Sequence, residues 1–211
     1  MGFGMATMGR PRTFDRDKAV EQAMYIFWQN GYESTSLSQL KAGIASGISA
    51  PSFYAAFGSK EALFQECVQR YLSTYAQVTE CLWNTTLTPR DAIEIALRNS
   101  AKMQCERGHP KGCMVGLGVM SAPSEEHVTV IEPLTRSRAR TRAGFTACLQ
   151  RGVDSGELRA DTDVRALSTV FDAFLLGLPT LARDGVRHNV LETAITHIMS
   201  AWDAAAANRH T

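Results

Sequence analysis

Residues 47 to 64, Gly-Ile-Ser-Ala-Pro-Ser-Phe-Tyr-Ala-Ala-Phe-Gly-Ser-Lys-Glu-Ala-Leu-Phe, constrain the fold more than any other stretch of the chain. Ser49 is a side-chain cap, Pro51 suits a first helical turn, and Gly58 stops the helix they begin. Ser59 then caps another helix at once. Upstream, Gly31-Tyr-Glu-Ser-Thr-Ser-Leu-Ser-Gln-Leu40 is a turn followed by a further short helix. Two short helices joined through glycine form the pattern of a helix-turn-helix whose second member enters a DNA groove.

Nearly all the rest reads as helix. Asp15 caps a first helix to Asn30, with Val20, Ala23, Met24, Phe27 and Trp28 on one face and Gly31 as its stop. The fourth helix carries Leu63, Cys67, Tyr71, Tyr75, Val78 and Leu82 in steps of three or four, which predicts one helix from Ser59 to about Trp83. A helix of that length leaves the small unit and couples it to the rest of the chain. Thr88, Pro89 and Asp91 begin a helix to about Glu106, and Cys113 to Ser121 forms a short one loosened by Gly116 and Gly118. The helical stretch from 124 to 151 contains Pro133, which should kink or restart it, and 152–161 is a loop.

The last two helices have the clearest periodicity. Val164, Leu167, Phe171, Phe174 and Leu178 form one stripe; Val190, Leu191, Ala194, Ile195, Ile198 and Trp202 form the next, after a stop at Gly185. Such a pair is either plain core or half of an intermolecular four-helix bundle.

Composition excludes more than it assigns. The 211 residues carry a net charge of +1, so the chain is no broadly basic nucleic-acid coat. Five cysteines, odd in number and without Cys-x-x-Cys, point to free thiols and to no metal site. No apolar run is long enough to cross a membrane, and the start lacks the basic region and apolar stretch of a secretion signal. A cytoplasmic location is expected, with Met5 and Met8 as alternative starts to Met1. There is no Gly-rich phosphate loop after a strand, no His-Glu-x-x-His and no Gly-x-Ser-x-Gly, so no catalytic residue and no cofactor is assigned. Gly112-Cys-Met-Val-Gly-Leu-Gly118 lies in a helical context, and 154–163 lacks the spacing of a calcium loop.

Four segments, Gly9-Arg-Pro-Arg-Thr-Phe-Asp15, Phe27-Trp-Gln-Asn-Gly-Tyr32, Thr35-Ser36 and Pro51-Ser-Phe-Tyr-Ala-Ala-Phe-Gly-Ser-Lys60, together resemble the amino-terminal domain of the TetR (TetR/AcrR-like) family of bacterial repressors. The resemblance implies an all-α protein with a three-helix DNA-binding domain over 9–64 and a larger helical domain over 65–207. The larger domain would bind an effector and dimerise. By position in the motif, Ser49 starts the recognition helix and Ala50, Pro51, Ser52 and Ala55 match residues that approach base edges. Tyr54 matches a tyrosine that touches phosphate or base, and Lys60 a lysine on backbone phosphate. Thr35 and Ser36 would cap the second helix and offer hydroxyls to phosphate. No Arg, Asn or Gln lies between Ser49 and Phe57, so readout leans on Ser52, on apolar contacts with thymine methyls and on DNA shape. Arg10 and Arg12 form either an arm on DNA or a solvated tail, and Phe53, Phe57 and Phe64 read as core. Lys41-Ala-Gly-Ile-Ala-Ser46 is two residues longer than the family usually has there, an excess for Gly43 and Gly47 to absorb.

Beyond residue 64 the resemblance thins to Pro110-Lys-Gly-Cys-Met114, Gly156-Glu-Leu158 and Gly177-Leu-Pro-Thr-Leu-Ala-Arg-Asp-Gly185. It implies a homodimer paired through Val164, Leu167, Phe171, Phe174, Leu178, Ile195, Ile198 and Trp202. It also implies a small-molecule effector of unknown identity between helices, with Trp83, Met103, Cys113, Met114, Leu117, Met120, Phe145, Phe171 and Phe174 as lining candidates that also read as core. The expected function is repression from a near-palindromic double-stranded operator, relieved by the effector. Cys113, with His109 and Lys111 nearby to lower its pKa, offers an alternative as a sensor of oxidants or electrophiles. A helical small-molecule-binding dimer without operator binding is a further alternative, disfavoured by the intact Pro51–Lys60 motif. Arg136, Arg138, Arg140 and Arg142 lie on one helix, as a solvated face with acidic partners would; an anionic effector is the alternative reading.

Overall fold

Helix starts are written in single side chains. In the computed structural model, which describes residues 15–118 and 124–207, Asp15 accepts a hydrogen bond from the Lys18 amide (3.1 Å), Ser59 from Ala62 (2.9 Å) and Thr88 from Asp91 (3.1 Å). Asp163 does the same for Ala166 (2.9 Å). Each cap satisfies an amide that the helix cannot, a contribution of about 1 kcal/mol apiece. The α-helices are α1 (Arg16–Asn30), α2 (Leu37–Gly43), α3 (Ala50–Phe57), α4 (Lys60–Ser73), α5 (Pro89–Cys105), α6 (Met114–Leu117), α7 (Val128–Asp154), α8 (Val164–Arg183) and α9 (His188–Ala205). No strand occurs among the described residues beyond an isolated bridge between Leu158 and Ala206.

Two apolar clusters hold these helices. The first gathers Phe27, Trp28, Leu40, Ile44, Phe53, Phe57, Phe64 and Tyr71, and takes in Met103, Met114, Val130 and Leu134 from later helices. The second lies among α5, α7, α8 and α9 around Leu97, Phe145, Phe171, Leu178, Ile195 and Trp202. Phe53, Phe57 and Phe64 are core, as their spacing indicates. Because α4 lends residues to the first cluster along its whole length, the small unit is packed onto the larger one rather than tethered to it.

The longer α2–α3 connection is accommodated by three successive residues at positive φ, Ala45 (51°), Ser46 (60°) and Gly47 (96°). Two of them are not glycine, at a cost of roughly 1–2 kcal/mol each. Offsetting this, Gln22 accepts from the Ala45 amide (2.8 Å), Ile48 donates to the Lys41 carbonyl (2.9 Å), and Ile44 is fully buried. Gly47 supplies one left-handed position, whereas Gly43 serves a close approach: a Cβ there would lie 2.6 Å from Ile26 Cδ1.

Several expectations are corrected. The fourth helix stops at Ser73, and Thr74 (φ −124°, ψ −88°) hands over to nine residues of 3-10 helix, Tyr75–Trp83. The cause is local: the Ser73 and Thr74 hydroxyls donate to the Arg70 carbonyl (3.1 and 2.6 Å), and Gln77 donates to the Leu72 carbonyl (2.7 Å). These bonds compete with continued α-helical pairing. Pro133 neither breaks nor restarts α7, which runs through it for 27 residues; packing against α4, α5 and α8 outweighs one missing amide. The short sixth helix ends at Leu117, and Met120, like Arg10 and Arg12, lies outside the described residues.

A further correction concerns the last two helices. Phe171, Leu178, Ile195 and Trp202 are buried inside the protomer, so they have no surface left for a partner. Val164, Leu167, Phe174 and Ile198 are half-buried against the same cluster. The apolar residues left in the open on α8 are Val170, Leu176 and Leu181, with Val190 on α9. The α8 helix is apolar on both sides: an 18-residue window has a mean hydropathy of 1.4, with only 28% of it buried, so by length and composition alone, contrary to expectation, one helix is long and apolar enough to cross a membrane.

Gly112, in the turn before α6, packs closely against α8. Its φ is 87°, and a Cβ would lie 3.0 Å from the Pro179 carbonyl oxygen and 2.6 Å from Leu117 Cδ1. Gly112→Ala is therefore expected to lower unfolding free energy by about 2 kcal/mol, seen as an earlier urea midpoint at unchanged slope. An unshifted midpoint would mean that this junction is loose.

Candidate DNA-binding surface and effector cavity

The face of α3 that its aromatic residues leave free is small and polar. Phe53 and Phe57 point inward, while Ser49, Pro51, Ser52, Tyr54 and Ala55 are exposed and Ala50 is partly so. Tyr54 is 51% exposed, touching Phe53 edge-on with ring centroids 5.7 Å apart. Ser49 caps the helix through the Ser52 amide (3.3 Å), and the two hydroxyls are 2.9 Å apart. Ser36 and Gln39 form a reciprocal capping box on α2, leaving Ser36 exposed beside it. Thr35 is different: it is fully buried, and its hydroxyl donates to the Gly31 carbonyl (2.6 Å). Its assignment to phosphate is corrected, because that hydrogen bond closes the turn after α1.

Lys60 opens α4, with its ammonium 4.2 Å from the centre of the Tyr32 ring. Burial pulls its pKa below the ordinary lysine value, and Glu33 pushes it partly back. A cation over an aromatic face at a helix N-terminus is suited to an oxyanion, the dipole adding to the charge.

Sequence profiles and solved structures match this architecture along the chain. Residues 19–67 match the profile "Bacterial regulatory proteins, tetR family", and residues 91–198 match "Tetracyclin repressor-like, C-terminal domain". The HTH-type transcriptional repressor ComR of Escherichia coli is 32% identical over 84% of this chain and 83% of its own. The chain belongs to the TetR family.

Among solved TetR structures, a cysteine mutant of the transcriptional regulator CifR complexed with 26bp double-strand operator DNA is 35% identical, with a TM-score of 0.79 over 92% of this chain and 100% of that one. A putative TetR transcriptional regulator from Rhodococcus sp. RHA1 is 30% identical, with a TM-score of 0.56 over 90% of this chain and 98% of its own. The protein is thus a DNA-binding transcriptional regulator of the TetR repressor type, from a family that acts as dimers on double-stranded operators and responds to small-molecule effectors.

Links that join α1, α4 and the later helices were not legible from periodicity. Arg183, in the last turn of α8, donates to the Trp28 carbonyl at the end of α1 (2.6 Å) and to the Lys111 carbonyl (3.3 Å). Gln65 of α4 donates to the Val130 carbonyl of α7 (3.0 Å). Glu33, just after α1, accepts from the Ser124 amide (3.0 Å) and hydroxyl (3.1 Å) and lies 2.8 Å from His127 Nδ1. These bonds, the Ser124 amide foremost, hold the Glu33 carboxyl below the usual carboxylate range. Each link joins residues more than sixty positions apart, so no local pattern announces it.

A cavity of about 60 Å³ lies between the 3-10 segment and helices α5 to α8. Of the proposed lining residues that lie within the described chain, only Met103 and Cys113 line it. Phe145 and Phe171 stack on each other in the second core (6.2 Å), and Met114 is buried in the first. Phe174 packs on the second core, Leu117 presses against Gly112, and Trp83 is exposed beneath the Arg140 guanidinium (4.9 Å). Polar side chains, Ser100, Gln104, Arg138, Thr141 and Asp172 among them, are set into walls that are mainly apolar.

Cys113 caps α6: its sulfur accepts from the Gly116 amide (3.4 Å) and from the Tyr71 hydroxyl (3.2 Å). The basic neighbours expected to activate it turn away. Lys111 donates to the Cys105 carbonyl (3.1 Å), and His109 stacks on Trp28 (4.7 Å).

Proposed function

We propose that two copies pair across the open faces of α8 and α9, through Val170, Leu181 and Val190, and set their α3 helices in major grooves about one DNA turn apart. Ala50, Pro51, Ser52, Tyr54 and Ala55 would meet base edges, with Ser49 at the helix start. Ser36 and Lys60 would meet phosphate. Residues 9–64 form the DNA-binding unit and 65–207 the effector-binding and pairing unit. The cavity receives the effector, which acts by its different affinity for the DNA-competent and DNA-incompetent states. No catalytic role is assigned, and the place of action is the cytoplasm, where the operator lies.

The observation that carries this reading is the exposed, side-chain-capped face of α3 above a fully buried aromatic floor. Fluorescence anisotropy with DNA flanking the gene, over a salt series, tests it. Binding that resists competitor DNA and falls steeply with salt is expected. Random DNA competing equally well would defeat it.

A second reading has its own support, since Cys113 is the one free cysteine at the cavity wall among the described residues. Burial raises the thiol pKa of Cys67 and Cys148, the latter to about 11, which leaves little thiolate at neutral pH in either. Thiol labelling followed by mass spectrometry should therefore modify Cys113 before those two. If Cys113 were the slowest, a thiol-sensing switch would be excluded.

A further inference from the structure

The charges along α7 do not balance at the cavity. Arg136 pairs with Glu132 (3.5 Å), Arg140 with Glu80 (2.5 Å) and Arg142 with Asp172 (2.7 Å). Arg138 alone of the four has no carboxylate within ion-pair distance among the described residues, and it lines the cavity. The acid near it, Asp172, already has one oxygen on Arg142, so the two guanidinium groups and one carboxylate leave a single positive charge at this wall. Burial, and then Arg142, pulls the Arg138 pKa down, and Asp172 pushes it only partly back. A guanidinium stays protonated at neutral pH regardless.

The α5 wall is equally unfinished. Ser100 and Gln104 are four residues apart on α5 and therefore share one face. Both are buried, and both line the cavity. Ser100 Oγ and Gln104 Oε1 have no hydrogen-bond partner among the described residues. Buried polar atoms without partners are rare in folded proteins, and two on one face of one cavity call for a polar guest. Around them the surface is apolar, with Met103, Val115, Leu175 and Pro179. The space of about 60 Å³ equals roughly two waters' share of liquid volume.

We propose that the cavity takes a small carboxylic acid bearing a hydroxyl group, its carboxylate on Arg138 and its hydroxyl between Ser100 and Gln104. A planar guanidinium suits a carboxylate in forked geometry, and a hydroxyl can both donate to Gln104 Oε1 and exchange a hydrogen bond with Ser100. The short apolar remainder lies against Met103 and Pro179. A guest larger than the present space must part the 3-10 segment from α7, which is how occupancy would bear on the DNA-binding unit. This inference rests on the effector-cavity reading above, but it concerns what binds, not what binding does.

The test is calorimetric titration of the full-length, DNA-free protein with 2-hydroxybutyrate, 3-hydroxybutyrate, butyrate and 2-hydroxybutyramide. At least one hydroxy acid should bind saturably, one per protomer, and both butyrate and the amide about tenfold more weakly or worse. Arg138→Gln should weaken the hydroxy acid by about tenfold or more, while Arg136→Gln, two positions along the same helix, leaves it unchanged. Ser100→Ala should erase the preference over butyrate. Circular dichroism of each variant separates lost binding from lost folding, and if Arg138→Gln fails to fold, the comparison with the neutral amide decides. Equal binding of acid and amide, unaltered binding in a folded Arg138→Gln, or no saturable binding by either hydroxy acid would each overturn the proposal. If the hydroxy acid binds as described but operator anisotropy does not change, the ligand class stands and the release mechanism falls.

Discussion

Val170→Glu is expected to leave each copy folded and to separate the pair, whereas Phe171→Ala, one residue on, is expected to destabilise the fold itself. Val170 is 41% exposed, on the same open side of α8 as Leu181, so a carboxylate there is solvated in the single copy but loses its water in a packed interface. Phe171 is 0% exposed and stacks on Phe145, so its truncation leaves a cavity at a cost of about 3–5 kcal/mol. That is a large part of a domain's usual 5–15 kcal/mol. Light scattering should find Val170→Glu at half the parent mass, and urea unfolding should find Phe171→Ala close to failure. Operator affinity of Val170→Glu should fall by about a hundredfold or more, since a second half-site no longer adds to the first. The pairing face is misplaced if Val170→Glu remains a dimer at micromolar concentration.

Lys60→Ala and Tyr54→Ala should each weaken operator binding by about tenfold, with different signatures. Lys60 opens α4 as a cation, so its loss should reduce the slope of log affinity against log salt by about 0.9. Tyr54 is uncharged, and its loss should leave that slope alone. Tyr54 projects from the surface with an edge contact to Phe53, so its loss should leave the urea midpoint nearly unshifted, whereas Lys60→Ala also removes the cation over the Tyr32 ring and should lower the unfolding free energy by about 0.5–1 kcal/mol. Lys60→Ala with an unchanged salt slope would detach that residue from phosphate.

The contrast between Val170 and Phe171 also shows why the sequence misled at α8. Apolar residues run along both sides of that helix, and periodicity favours the bulkier stripe, which is the one the protomer needs for its own core. The smaller stripe, left outside, is the one available to a second copy. The helix caps were legible because each is a bond between residues three apart, settled before any packing. The break at Thr74 was not, because Tyr75, Val78 and Cys81 are spaced by three, a spacing that both kinds of helix tolerate. The cavity escaped for the opposite reason. A search for large apolar side chains finds core, whereas the informative residues, Ser100, Gln104 and Arg138, look from sequence like the ordinary polar sides of amphipathic helices. The exposed residues of α3 were legible because helical spacing assigned Phe53 and Phe57 inward, which leaves only the remainder to face outward.

The nine-residue 3-10 segment has a consequence in length. At about 2.0 Å per residue it spans about 18 Å, and rewound at the α-helical 1.5 Å it would span about 13.5 Å. The difference, about 4.5 Å, is slack stored along an axis that starts where α4 ends. Ala76, Val78 and Thr79 of this segment are cavity wall, and Lys60 stands at the far end of α4. A change of hydrogen-bonding register beside a bound guest would thus be converted into linear travel, as a turning screw advances its shaft, at the helix whose other end carries Lys60.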